Sequence, residues 1–194
     1  FQMNADITGL IHNKNTITHI IINNKDKIAA EEILCSLPIT TIIKLLEPKP
    51  PKFIQDIVDH FSFRSLTLIV IMINKKSITE NASIYFPVSN IPYTRIYEPK
   101  NRSLYMAPTN QTSIVVEVPS DQFIKCKEDE ENLKKKIISD LIQKKFFSKK
   151  QIISSIMVKI PYAYPILEIQ MPERHNLVLD YLKKFENLHL IGRN

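Results

Sequence analysis

Two glycines in 194 residues, Gly9 and Gly192, limit this chain more than any other feature. Glycine takes left-handed backbone freely and lets a backbone come close to a ligand. With only these two, the sequence contains no G-x-G-x-x-G dinucleotide turn, no glycine-rich phosphate loop and no G-x-S-x-G nucleophile elbow. Turns fall to asparagine, which tolerates the left-handed region, at Asn13-Lys14-Asn15 and Asn24-Lys25-Asp26.

Between those turns the pattern is legible. Asp6 to His12 and Thr16 to Asn23 read as strands, dense in β-branched residues, and Glu31 to Cys35 as a third. Pro38 to Glu47 places Ile39, Ile42, Ile43 and Leu46 on one helical face, and Pro48, Pro50 and Pro51 end it. Phe53 to Phe61 is a second short helix. Leu66 to Ile73 is a continuous apolar run, far too short for a bilayer, and reads as a strand covered on both faces. Strands follow at Ala82 to Phe86, Tyr93 to Glu98, Thr112 to Val118, Ser155 to Ile160 and Leu188 to Ile191. Glu128 to Phe147 and Glu173 to Phe185 are the long helices, with a short one near Ser148.

The net charge of +6 permits nucleic-acid or anionic-membrane binding. Its placement argues otherwise. Lys134-Lys135-Lys136 and Lys144-Lys145 alternate at helical spacing with Leu133, Ile137, Leu141 and Ile142, so they form the wet face of a helix that acidic residues open and lysines close. No aromatics interleave with the basic runs, so no nucleic acid is expected as a partner. Cys35 and Cys126 have no C-x-x-C spacing and point to a reducing, cytoplasmic compartment. The five histidines lack ligand spacing, so no metal is expected.

The segment Ile91 to Ser103, IPYTRIYEPKNRS, carries the densest chemistry. Strict alternation on a strand places Tyr93, Arg95 and Tyr97 on one face and Thr94, Ile96 and Glu98 on the other. An arginine between two tyrosines can hold an anion while the rings stack on a planar group. Lys100, Asn101 and Arg102 add polar and cationic groups. The plain alternatives are an edge strand with a solvated basic loop, and a structural ion pair between Arg95 and a glutamate.

Six segments in order then carry a resemblance from about residue 5 to the end: Glu32 to Pro38 (EILCSLP), Phe63 to Leu66 (FRSL), Pro92 to Ile96 (PYTRI), Thr112 to Glu117 (TSIVVE), Pro161 to Pro165 (PYAYP) and Asn187 to Asn194 (NLHLIGRN). Together they resemble flavin-dependent enzymes of the amine oxidase superfamily, in particular protoporphyrinogen-oxidase-like oxidoreductases and UDP-galactopyranose mutases. The resemblance implies an α+β fold: a mixed, mostly antiparallel sheet with helices packed on it, as in the substrate domain of such a flavoprotein. Residues 1–38 and 186–194 would border an FAD-binding domain, and 39–185 would form the substrate domain. The family's G-x-G-x-x-G turn cannot exist here. The chain is therefore expected to be an excised portion, inactive alone, whose FAD belongs to the full-length parent and whose partner is the rest of that parent.

The resemblance also implies roles. Tyr93, Arg95, Tyr97, Lys100, Asn101 and Tyr164 would bind a small, anionic substrate. Ser36, Leu37, Pro38, Gly192 and Arg193 would approach the flavin. No catalytic residue is implied, because in such enzymes the flavin carries the chemistry. The continuation Glu98-Pro99-Lys100-Asn101-Arg102-Ser103 reads closer to the oxidoreductase branch than to the mutases. Tyr162 and Tyr164 could wall a ligand or fill a core gap. A mutase-like isomerase portion and a stand-alone binding module remain the alternative functions.

Overall fold

The computed structural model describes residues 1–88, 90–119, 127–166, 168–169 and 171–192. In chain order the elements are β1 (Ile7–Asn13), β2 (Thr16–Ile22), β3 (Asp26–Ala29), β4 (Ile33–Cys35), α1 (Ile39–Leu45), β5 (Leu46–Glu47), α2 (Lys52–Asp59) and β6 (Phe63–Ile73). There follow β7 (Ile84–Tyr85), β8 (Arg95–Tyr97), β9 (Thr112–Pro119), α3 (Lys127–Gln143), β10 (Ile152–Pro165), α4 (Met171–Leu182) and β11 (Leu188–Leu190). Contacts divide the chain into two compact units, one of Phe1–Ser62 with Pro165–Asn194 and one of Phe63–Tyr164. Both divisions fall inside the 39–185 span that the sequence pattern groups together, because α1, α2 and α4 pack on the strands of the first unit.

The first unit holds a four-stranded sheet in the order β3-β2-β1-β5 and a parallel pair β11-β4. Its core is aliphatic. Ile39, Ile42 and Ile43 of α1, Ile54 and Val58 of α2, and Val178 and Leu182 of α4 close over Leu10, Ile17 and Leu46. One buried polar residue ties the strands. Asn187 accepts from the Ile17 amide at 2.9 Å and donates to the Ile17 and Glu31 carbonyls at 2.8 and 3.1 Å. Strand β3 was not legible in the sequence, since all four of its residues are exposed and it lacks an apolar alternation. It exists because Asn23 and Asn24 both take positive φ, 53° and 57°, with the Lys25 amide donating to the Ile22 carbonyl at 3.0 Å. That is the geometry of a tight hairpin turn, supplied here by asparagines in place of glycine.

The second unit is a five-stranded sheet in the order β10-β6-β9-β8-β7. Its spine is the antiparallel β6–β9 ladder, paired from Leu66↔Pro119 to Ile73↔Thr112. On one face Ile69, Ile71, Ile73, Ile114, Val116 and Val118 are at most 1% exposed. Leu133, Ile137 and Leu141 of α3, spaced four apart, pack into that same cluster. The opposite face of β6 is not covered as the apolar run suggests. Leu68 and Val70 are half-buried and Met72 is 36% exposed. An antiparallel sheet can pack one face on the core and leave the other partly open to water.

Helix α3 ends at Gln143, short of the Phe147 that the pattern suggests. Lys145 takes φ 63°, the Phe146 amide reaches back to the Leu141 carbonyl at 3.2 Å, and the Lys145 amide to Ile142 at 3.0 Å. This is a Schellman-type stop with lysine where glycine is usual. Strand β10 runs longer than Ser155 to Ile160 at both ends. It lies at the sheet edge, where Pro161 and Pro165 need not supply a ladder hydrogen bond.

Aspartate at Ile69 or Ile71 should abolish soluble expression, because an unpaired charge on that face costs several kcal/mol. Aspartate at Val70, on the half-open face, should lose far less. Soluble yield and thermal melts of the three variants test this; Ile69→Asp and Ile71→Asp proteins that melt like wild type would contradict it.

Candidate functional site

The open face of the second unit gathers polar groups in register. Tyr85 pairs with Arg95, Arg95 with Glu117, and Glu117 with Leu68, so one row crosses β7, β8, β9 and β6. The next row is Tyr97, Val115 and Val70. Directly paired residues share a face. The two rows thus place an arginine, a carboxylate and two tyrosines on one apolar floor.

Arg95 is held from every side. Its Nε donates to Glu117 Oε2 at 3.0 Å, its Nη2 to Glu117 Oε1, and its Nη1 to the Tyr85 hydroxyl at 3.3 Å. Its guanidinium carbon lies 5.7 Å from the Tyr85 ring centre and 5.2 Å from that of Tyr97. The Glu117 bond raises the Arg95 pKa further, against a smaller opposing effect of burial. The fork that could clasp a substrate carboxylate already clasps Glu117, which is 7% exposed. The structure realises the ion-pair alternative.

Tyr93 does not share this face, contrary to strict alternation. The chain bends at Thr94, whose amide donates to the Glu117 carbonyl at 3.0 Å although Glu117 is the register partner of Arg95. The extra residue flips the alternation. Tyr93 is 0% exposed, stacks edge-on against Phe86 at 4.8 Å, and donates its hydroxyl to Asp140 of α3. Burial, then the Asp140 bond, raises the Tyr93 pKa well above its ordinary value. Burial pushes the Asp140 carboxyl up, but its bonds from Lys144 and Tyr93 outweigh this and leave it lowered. Tyr93 is a core residue, not a substrate contact.

Lys100 and Asn101 are also engaged within the chain. The Lys100 ammonium donates toward the carbonyls of Lys76, Pro108, Thr109 and Gln111 at 3.3, 2.9, 2.8 and 2.7 Å, and the residue is 9% exposed. Asn101 donates to the Thr79 and Asn81 carbonyls at 2.6 and 3.1 Å. Glu98, 0% exposed, accepts from the Ile78 and Thr79 amides at 3.0 Å each and from the Thr112 hydroxyl at 2.6 Å. These residues fasten two loops beneath β8 and border a cavity of about 390 Å³ that Lys76 and Leu104 also line. Their donors are turned inward, so they act as scaffold.

Tyr97 lies on the open face, in register with Val115 and Val70. Burial raises the Tyr97 pKa, with Glu117 adding to it and Arg95 and Arg102 opposing; Tyr164 lies near enough to contribute. Tyr164 is 39% exposed, and Tyr162, 58% exposed, meets Phe63 edge-on at 5.3 Å. Arg102 lies over the Tyr97 ring, its guanidinium carbon 5.0 Å from the ring centre. The sequence reading passed over Glu117 and Asp140 because a carboxylate in an apolar strand or a helix gives no signal until its partner is placed.

In the first unit, the residues expected to approach a flavin are brought together in part. The parallel pair runs Leu188↔Ile33, His189↔Leu34, Leu190↔Cys35, and the Ile191 amide donates to the Cys35 carbonyl at 3.0 Å. A Cβ on Gly192 would stand 2.7 Å from the Ser36 carbonyl oxygen, so the glycine is needed where the two strand ends touch. Leu37 packs on the core and Pro38 opens α1. Arg193 lies outside the described residues. Among the described residues no three His, Cys, Asp or Glu side chains are grouped to hold a metal, and no helix is long and apolar enough to cross a membrane.

No protein-family model and no curated protein matches this sequence. Solved structures do match its fold. A reduced UDP-galactopyranose mutase superposes with a TM-score of 0.71 at 16% identity, over 97% of this chain and 40% of that one. Putrescine oxidase bound to putrescine gives 0.64 at 11%, over 97% and 42%. A protein named as a candidate protoporphyrinogen oxidase from Exiguobacterium sp. 255-15 gives 0.61 at 13%, over 97% and 41%. The chain shares the fold of the matched parts of these structures. It spans about two fifths of the length of the structures it matches.

Replacing Lys100 by methionine should destabilise the chain by about 2–3 kcal/mol, since charge-assisted bonds to buried carbonyls are lost. Asn101→Ala should cost about 1 kcal/mol. Urea midpoints test both, and unchanged midpoints would contradict the scaffold role.

The Tyr93–Asp140 bond makes a pH prediction. A carboxyl with a lowered folded pKa contributes stability that is complete above its unfolded value, about 3.9, and is lost as pH falls through the folded value. The stability advantage of wild type over Tyr93→Phe should therefore be constant near neutrality and shrink below about pH 4. Urea unfolding across that range measures it; a constant difference would mean that the bond does not depend on the carboxylate.

Proposed function

We propose that this chain is the substrate-binding portion of a flavin-dependent oxidoreductase, with FAD held by a further portion of the protein. The observation that carries the reading is the open face of the five-stranded sheet. A partly exposed apolar floor of Leu68, Val70 and Met72 is bordered by Tyr85 and Tyr97, with Arg95 and Arg102 beside Tyr97. Such a face suits a planar small molecule. The matched structures include a putrescine oxidase with putrescine bound, which supports small-molecule recognition by proteins of this fold.

The residues present do not build an FAD cradle by themselves. Gly9 sits in β1, where an added Cβ would meet the Ile21 side chain, and Gly192 abuts Ser36, so neither opens a helix N-terminus onto a phosphate. The strand ends at Ser36 and Gly192 could form only the lip of a flavin site. The part played by this chain is to bind and orient substrate and to exclude water from it.

A UDP-galactopyranose-mutase-like isomerase is the second reading, favoured by the TM-score of 0.71 with such a mutase. Nuclear magnetic resonance titration of the purified chain with FAD, UDP-galactopyranose and putrescine tests both readings. FAD should leave the spectrum unchanged, and a substrate-like ligand should shift Tyr97, Tyr164 and the β8 amides. A response to the sugar nucleotide alone selects the isomerase. Tight FAD binding, or ligand shifts confined to the first unit, would overturn the proposal.

A further inference from the structure

We infer that the group on the open face that recognises an anion is Arg102 and not Arg95, and that the ligand is a planar ring bearing an anionic substituent. This rests on the open-face reading above and names the ligand class for it.

Arg95 is the arginine that strand alternation singles out, but its charge is matched. One guanidinium edge, Nε with Nη2, bonds both Glu117 oxygens, and Nη1 bonds Tyr85. Turning Arg95 toward a ligand would strand a nearly buried carboxylate without its partner, which is strongly unfavourable. The Arg95–Glu117 pair is therefore neutral from outside.

Arg102 differs in each respect. The residue is exposed, and its one side-chain hydrogen bond among the described residues is a long one, Nη2 to Ser83 Oγ at 3.5 Å. Among the described residues no carboxylate forms an ion pair with it. Its place over Tyr97 is nonetheless fixed. The Arg102 amide donates to the Pro99 carbonyl at 2.9 Å, closing a tight turn that the inward bonds of Lys100 and Asn101 fasten to two neighbouring loops. An arginine stacked on a tyrosine keeps its guanidinium edge free, so it can present two parallel N–H groups to an oxyanion at little ordering cost. Tyr97 thus lies beside two guanidinium groups, at 5.2 Å from Arg95 and 5.0 Å from Arg102, of which the second is available. The flat surface exposed beside it is the ring of Tyr85, 66% exposed. A ring seated there brings its anionic group to Arg102.

Two fluorescent probes that differ only in charge test this on the chain itself: anilinonaphthalene sulfonate and uncharged phenylnaphthylamine. Both should bind wild type, and Tyr85→Ala should weaken both. Arg102→Gln should weaken the sulfonate about three- to tenfold, as expected for an exposed charge contact, and leave the neutral probe unchanged. Arg102→Lys should recover part of the loss, and about 1 M salt should erase the difference. Lys25→Gln, an exposed site on the first unit, should alter neither probe. Equal sulfonate affinity in wild type and Arg102→Gln, with both probes still binding, would overturn the inference while leaving the open face intact. If neither probe binds wild type, the open-face reading itself fails and takes the inference with it.

Discussion

The antiparallel pairing of β6 with β9 sets the second unit's geometry. Eight residue pairs fix which side chains face which way, since a strand's period is two and a slip of one would exchange the faces. On one side the ladder shows only isoleucine, valine and buried threonine, and α3 closes over it. On the other side it shows Val115 and Glu117, and β8 and β7 extend that side with Arg95, Tyr97 and Tyr85. The same register that builds the core therefore builds the open face.

A carboxylate on that face needs a partner, and Arg95 is the one the register provides. This explains why the most conspicuous arginine in the sequence is structural. The same logic applies beneath β8, where Lys100, Glu98 and Asn101 turn inward to backbone groups and hold two loops in place. Polar residues that read as a basic loop are the fastening of a turn, and the cation left facing outward is Arg102. Recognition then depends on a residue positioned by its neighbours' bonds, which is a common way to lower the ordering cost of binding.

Much of the architecture was legible beforehand. The helices over Ile39–Leu45 and Lys52–Asp59 announce themselves by apolar spacing between prolines, and β6 and β9 by β-branched runs. The fold type was legible through six short segments rather than any single motif. What was not legible came from backbone events that side-chain patterns do not report: the bend at Thr94 that turns Tyr93 into the core, the Asn23-Asn24 turn that creates β3, and the left-handed Lys145 that stops α3. Alternation places Tyr97 on the open face, as the register has it, whereas the inward course of Lys100 depends on four carbonyls distributed over two loops. The glycine count leaves the sequence without a G-x-G-x-x-G turn, and Gly192 stands where an added Cβ would meet the Ser36 backbone.

The central claim is that Arg95 and Glu117 form one neutral unit within the open face. A double-mutant cycle with Arg95→Met, Glu117→Gln and the pair measures it directly by urea unfolding at neutral pH. Each single variant leaves a charge of the face without its partner, so each should be destabilised, Arg95→Met more because Glu117 is the more buried of the two. The double variant should lose less than the sum of the singles, with a coupling of about 1.5–3 kcal/mol, in the range of hydrogen bonds to charged groups. Strictly additive losses would contradict the account and return Arg95 to the pool of groups free to meet an anion.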